Sequence, residues 1–142
     1  MPLIRYRTRD ISRMIPEPCP CGAKALGKFA AVRKRIDCMT RLVGGEEIYP
    51  SLFDDVLMDM PGFVDYRAVL DRVKDREILR FSVELSRGDP GKIPEIKKRL
   101  LDVPALAKNV QVGKMLEPSI EITSAGELRD TGTRKRLITD LR

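Results

Sequence analysis

The sequence predicts an α+β domain, a small antiparallel or mixed sheet with two to three helices on one face, preceded by a β-hairpin appendage. Three observations carry this. Leu79, Phe81, Val83 and Leu85 alternate with Arg80, Ser82, Glu84 and Ser86, the period of a strand buried on one face. Leu52, Phe53, Val56, Leu57 and Met60 form a helical stripe behind Pro50, which suits a first turn because its missing N–H would be unpaired there anyway. Pro61-Gly62 and Gly88-Asp89-Pro90-Gly91 punctuate the chain between such segments.

In chain order, 3–8 and 11–15 read as two short strands around Arg9-Asp10. The stretch Pro16-Glu17-Pro18-Cys19-Pro20-Cys21-Gly22 holds too many prolines for helix or central strand and is a rigid loop. Strands are expected at Phe29–Val32 and Met39–Val43, the second ended by Gly44-Gly45. After the helix at Pro50 come strands through Val64–Leu70 and Leu79–Leu85, then a helix through Ile93, Ile96, Leu100 and Leu101. Val110 and Val112, then Ile120 and Ile122, read as one or two closing strands, and Arg134–Leu141 as a short terminal helix. Periodicity is clean after Ile48 and weak before it. The expected organisation is therefore residues 1–36 as a linking hairpin and Cys-Pro loop, and 37–142 as the α+β domain.

Composition narrows the functional classes. The 142 residues suit one domain plus an appendage. There is no His, which removes His-centred triads and the commonest metal ligand. No apolar run spans a bilayer and the first residues turn charged at once, so the expected setting is cytoplasmic, with no membrane partner. The net charge of +6 is uneven: 1–45 carry ten Lys/Arg against three Asp/Glu, 46–107 ten against thirteen, and 108–142 seven against five. Such a field concentrates polyanions without choosing among them. With few aromatics, none interleaved with basic residues, nucleic acid is not an expected partner. Asp54-Asp55 and Lys97-Lys98-Arg99 read as solvated helix faces. Cys19 and Cys21 form half of a zinc site. Structural zinc takes four ligands, so a free-thiol loop is the favoured reading.

Three ordered motifs bring in a resemblance. Tyr6-Arg7-Thr8-Arg9-Asp10 resembles the Y-[RK]-T-x-D motif of adenylate-forming acyl-CoA ligases. Lys34-Arg35-Ile36-Asp37-Cys38-Met39 is similar to their G-R-x-D-D-M hinge motif, and Gly44-Gly45-Glu46-Glu47-Ile48-Tyr49-Pro50 to the G-G-E-N-I-x-P that follows. Pro18-Cys19-Pro20-Cys21-Gly22 points to the phenylacetate–CoA ligase branch, which includes deazaflavin-adenylylating synthetases. The resemblance covers essentially this whole chain but only the C-terminal part of a full ligase. It implies the small swinging domain of such an enzyme. ATP or AMP with Mg, and coenzyme A, are the implied cofactors. A large N-terminal adenylation domain, in trans or outside this chain, is the implied partner. A small aromatic carboxylate is the implied substrate, and a homodimer stays open.

The residue roles follow from that resemblance. Asp10 would accept hydrogen bonds from ribose hydroxyls, suited by being acceptor-only with two oxygens. Arg35 would contact the nucleotide, Asp37 would be the hinge, and Gly44 and Gly45 would approach the site during thiolation. The departures are Lys34 for the motif glycine, Cys38 for its second acid, and above all Thr133. In Arg129-Asp130-Thr131-Gly132-Thr133-Arg134-Lys135-Arg136, Thr133 stands where the family has its adenylation lysine, and Arg134 is the nearest substitute. Two readings result. One is a ligase lid domain active only with a large domain. The other is a module that lost the lysine and binds a nucleotide, coenzyme A or a protein.

Overall fold

The computed structural model describes residues 7–23, 27–123, 126–128 and 137–142. The chain divides into two units, Met1–Asp37 and Cys38–Arg142. In the first, β1 (Asp10–Ile11) pairs antiparallel with β4 (Lys34–Arg35), and β2 (Met14–Ile15) with β3 (Lys28–Phe29). These ladders are successive parts of one hairpin with the Cys-Pro loop toward its tip. The single strand expected at 11–15 is corrected to two short ones, β1 and β2, and the strand expected at 3–8 falls mostly outside the described residues. Positions 1–6 lie outside the described residues, and Asp10 itself is in a strand. Arg9, just before it, has a left-handed φ of 62°. The strand expected over Phe29–Val32 shrinks to Lys28–Phe29. Between Ile11↔Lys34 and Met14↔Phe29 the later arm carries two extra residues, so its middle leaves the ladder.

A 3-10 turn, Ile36–Cys38, leads into the second unit. There β5 (Thr40–Arg41) and β6 (Glu47–Ile48) make a small hairpin, followed by α1 (Pro50–Leu57). Then come β7 (Phe63–Val73) and β8 (Arg76–Leu85), α2 (Ile93–Leu101), α3 (Pro104–Gln111), β9 (Ser119–Thr123) and β10 (Ile138–Asp140). The sheet runs β10-β7-β8-β9. Its central pair is an antiparallel hairpin, and each outer strand lies parallel to its neighbour. Tyr66, Ala68 and Leu70 from β7 join Leu79, Phe81, Val83 and Leu85 from β8 in the core. Phe53 and Leu57 of α1, Ile96 and Leu100 of α2, and Leu106 of α3 pack against them, each pair in a helix at the i,i+4 spacing. Phe53 meets Phe81 edge-on at 5.1 Å. Arg99 ties α2 to α1, donating to the Val56 carbonyl at 3.1 Å and to Asp59 at 2.7 Å, so it is more than a solvated charge.

Two further expectations are corrected. Val110 lies in α3 and Val112 at its C-cap, not in a strand, because Pro104 opens a helix that buries Leu106 and Asn109. The segment expected as a terminal helix contains β10 instead, with 134–136 outside the described residues. So short a helix has little stability alone, whereas Ile138 buries its side chain and the strand's backbone bonds to the open edge of β7. Among the described residues no helix is long and apolar enough to cross a membrane.

Candidate functional site

In the first unit, the antiparallel register sets Asp10 directly opposite Arg35. Cross-strand neighbours are close enough to interact, and the Arg35 guanidinium reaches the Asp10 carboxylate at 3.0 Å. The 3-10 turn that follows folds Asp37 back onto the same guanidinium. Nε donates to Oδ1 at 3.1 Å and Nη2 to Oδ2 at 3.3 Å, while Nη2 also reaches the Thr8 carbonyl at 2.8 Å. Residues from two motifs thus converge on one cation. Their side chains are about a quarter exposed (27% each), where an ion pair adds only about 0–1 kcal/mol. The arrangement acts on orientation more than on stability. The motif comparison placed Arg35 against a nucleotide, and it did not reveal that Arg35 grips both acids. The Asp10 carboxylate offers about four lone-pair sites, and the ion pair to Arg35 occupies part of them.

The second unit holds Gly44-Gly45 at the tip of the β5–β6 hairpin, closed by Gly45 N–H to the Leu42 carbonyl and Leu42 N–H to the Glu46 carbonyl, both 2.8 Å. Gly45 needs to be glycine for its φ of +95°. Gly44 is constrained by space, since a Cβ there would fall 2.8 Å from Asn109 Cγ and closer still to Asn109 Oδ1 and the Glu46 carboxylate. Asn109 is fully buried and donates from Nδ2 to Glu46 at 2.9 Å and to the Ala105 carbonyl at 2.8 Å. Its Oδ1 has no hydrogen-bond partner among the described residues. Lys108 pairs with Glu46 as well. The Lys108 ammonium, followed by the Asn109 amide, pulls the Glu46 carboxyl down to about 2. From the other side, buried Glu77 accepts from Val43 N–H at 3.0 Å and pairs with Arg142, whose guanidinium also donates to the Arg41 carbonyl at 3.1 Å. The glycine loop is therefore a clamped structure.

Thr133 and Arg134 lie outside the described residues. Just before them, a second buried carboxylate, Glu84, accepts from Gly126 N–H at 2.7 Å and Leu128 N–H at 3.4 Å. Sequence reasoning missed Glu77, Glu84 and Asn109. Within the clean alternation of β8, Glu84 reads as a solvent-side residue, and only a turn laid over that face buries it. Glu77 and Asn109 carry no local signal. Cys19 and Cys21 lie across a turn closed by Gly22 N–H to the Cys19 carbonyl at 3.0 Å, with their sulfurs 2.7 Å apart. The Cys19 hydrogen bond lowers the pKa of the Cys21 thiol. Among the described residues no group of three or more potential metal ligands forms, so the pair offers half of what structural zinc takes.

This α+β fold is that of the C-terminal domain of adenylate-forming acyl-CoA ligases, the class that the three motifs also resemble. The phenylacetate-coenzyme A ligase of Aromatoleum evansii is 29% identical over 113 residues, which is 78% of this chain and 23% of that protein. The chain thus spans less than a quarter of that relative. A domain of phenylacetate-coenzyme A ligase from Bacteroides vulgatus matches with a TM-score of 0.53 and 24% identity, over 75% of this chain and 94% of that one. 2-Hydroxyisobutyryl-CoA ligase, in the postadenylation state with 2-HIB-AMP, matches with a TM-score of 0.64 and 22% identity, over 94% and 28%. The same enzyme with 2-HIB-AMP and CoA in the thioesterification state gives 0.55 and 23%, over 93% and 27%. No family model matches the chain.

Proposed function

We propose that this chain serves as the mobile C-terminal domain of an AMP-forming acid–CoA ligase, working with a large adenylation domain supplied by another chain or by further sequence. The observation that carries the reading is the position of the Asp10–Arg35–Asp37 cluster at the division between the two units, which falls immediately after Asp37. A guanidinium holding both acids orients Asp10 to accept from ribose hydroxyls. It also braces one side of a hinge whose rotation would occur at Asp37. Adenylation and thioester formation would then use the same small domain in two orientations, with coenzyme A as the acyl acceptor and a small carboxylic acid as substrate. Met14, Phe29, Val32 and Ile36 of the first unit are each more than half exposed. Such exposed apolar side chains suit packing against the large domain of a protein of which this chain is a fraction.

The test is ATP–pyrophosphate exchange with a carboxylic acid, using the chain alone and together with a phenylacetate–CoA-ligase-type large domain. Exchange is expected only in the combined sample, and Asp10→Ala should reduce it by about 10²-fold, the scale for losing a positioning contact to a reactant. Robust exchange by the chain alone, or none in any combination, rejects the reading. In the second case the non-catalytic binding module, which Thr133 in place of the lysine favours, takes its place.

A further inference from the structure

The tip of the β5–β6 hairpin is braced by groups to which the function proposed above gives no role. Leu42 and Ile48 enter the core and secure the base of the hairpin. Two fully buried polar side chains, Asn109 and Glu77, reach its tip, one from each side. Asn109 Nδ2 donates to the Ala105 carbonyl at 2.8 Å, which fixes the amide, and to the Glu46 carboxylate at 2.9 Å. Asn109 Oδ1 occupies the space where a side chain at position 44 would begin. Glu77 accepts from Val43 N–H at 3.0 Å. The two braces are joined behind the loop. The Asn109 carbonyl accepts from the N–H groups of Lys114 at 3.0 Å and Met115 at 3.1 Å, and Glu77 N–H donates to the Lys114 carbonyl at 3.1 Å. A closed circuit of hydrogen bonds thus runs from Glu46 through Asn109 and Glu77 to Val43, and it presents Gly44 half-buried and Gly45 exposed. Buried polar groups are costly to desolvate, and they rigidify the place where they bond. Here that place is a tip of two glycines.

We propose that Asn109 is a positioning residue for thioester formation, holding the backbone of Gly44 and Gly45 where the thiol-bearing arm of the acyl acceptor passes. The assignment rests on the reading of the chain as the C-terminal domain of an acid–CoA ligase. That arm is a flexible chain of methylene and amide groups, and two residues without Cβ let it run close against main-chain N–H and C=O groups. Glycine also has the greatest conformational freedom of any residue, so such a tip keeps one shape only while its flanks are fixed. Asn109 fixes the flank at Glu46 and, by filling the space beside Gly44, the path of the tip itself. With no solvent exposure it touches neither reactant and acts through the loop. Adenylation uses the domain in its other orientation and makes no demand on this tip. The effect of Asn109 therefore falls on one of the two half-reactions.

The experiment combines the full chain with a phenylacetate–CoA-ligase-type large domain and reads two rates: ATP–pyrophosphate exchange without coenzyme A, and thioester formation with it. Asn109→Ala should lower kcat for the thioester by about 10- to 10²-fold, the scale of a misplacement near 1 Å, and leave pyrophosphate exchange within about 2-fold of wild type. Glu46→Ala removes the same hydrogen bond from a partly exposed position, should show the same split, and decides the matter if Asn109→Ala does not fold. Glu46→Gln keeps an acceptor for the amide and should recover most of the lost rate. In the chain alone, Asn109→Ala should speed hydrogen exchange of the Gly45 amide by about 10-fold and leave the β7 and β8 amides unchanged. An active complex in which these substitutions spare the thioester step, or lower both rates alike, overturns the assignment of Asn109, as does unaltered Gly45 exchange. A wild-type complex inert in both assays rejects the proposed function itself and the assignment with it, and is told apart because no substitution is involved.

Discussion

Glu77 is a carboxylate with no solvent exposure, facing Arg142 and the Val43 N–H. A buried charge of this kind is tolerable only while its partner is present. Removing one side of such a pair costs about 3–5 kcal/mol because the other remains charged and dry. Arg142→Ala is therefore expected to lower the stability of the second unit by about 3 kcal/mol, read as a shift in urea midpoint at unchanged slope. Adding Glu77→Gln should return part of the loss. Glu46 behaves differently because it is only partly buried and lies beside the Lys108 ammonium. Its pKa in the folded state, about 2, lies below the ordinary 4.5. A depressed carboxylate stabilises the fold above the unfolded value and loses that contribution as pH falls through the folded one. Acid titration of unfolding should show stability declining between pH 4.5 and about 2, with the Glu46→Gln variant flatter over that window.

The β5–β6 hairpin tip shows what an element demands of its residues. Gly44→Ala would drive a methyl group into Asn109 and Glu46, an overpacking cost of about 1–3 kcal/mol. Asn109→Ala should relieve much of that penalty, so a double-mutant cycle between the two positions is expected to show coupling above about 0.5 kcal/mol. Additive effects would show that the two do not meet. Such close approach is invisible in the string Gly44-Gly45-Glu46, which by itself reads as a turn. The elements that were legible, α1, α2 and the β7–β8 pair, have one apolar face and interruptions at both ends, so local pattern and burial agree. Val110 and Ile138 misled because short apolar spacings fit helix and strand alike; Pro104 decided the first and the open edge of β7 the second. Of the candidate site, Asp10, Arg35 and Asp37 could be named from motifs. The hydrogen bonds that join them depend on the pairing of β1 with β4, which the short, irregular ladders of the first unit do not announce.

At the scale of the whole molecule the proposed function makes Thr133 the residue to test. A cation placed where phosphate charge develops is worth about 3–4 kcal/mol, or about 10²–10³ in rate. In a complex with a large domain that shows any adenylation, Thr133→Lys should raise pyrophosphate exchange toward that factor, and Arg134→Ala should lower the starting activity if Arg134 already substitutes. If neither change alters the rate of an active complex, adenylation does not use this segment. Either result bears on the whole assembly, because the residues that flank the segment belong to the second unit: Gly126 and Leu128 before it bond to Glu84, and β10 follows it.

The strand β10 carries one more implication, for the order of events as the chain folds. Ile138 pairs with Ala68, seventy positions earlier in the sequence, and the pairing is parallel. Contacts of that separation are made late, since the closure entropy of the intervening chain must be overcome before they return anything. During synthesis the β7–β8 hairpin and the helices have their partners long before β10 emerges, leaving the edge of β7 exposed meanwhile to any other extended segment. The last strand is thus both the completion of the sheet and the guard of its edge.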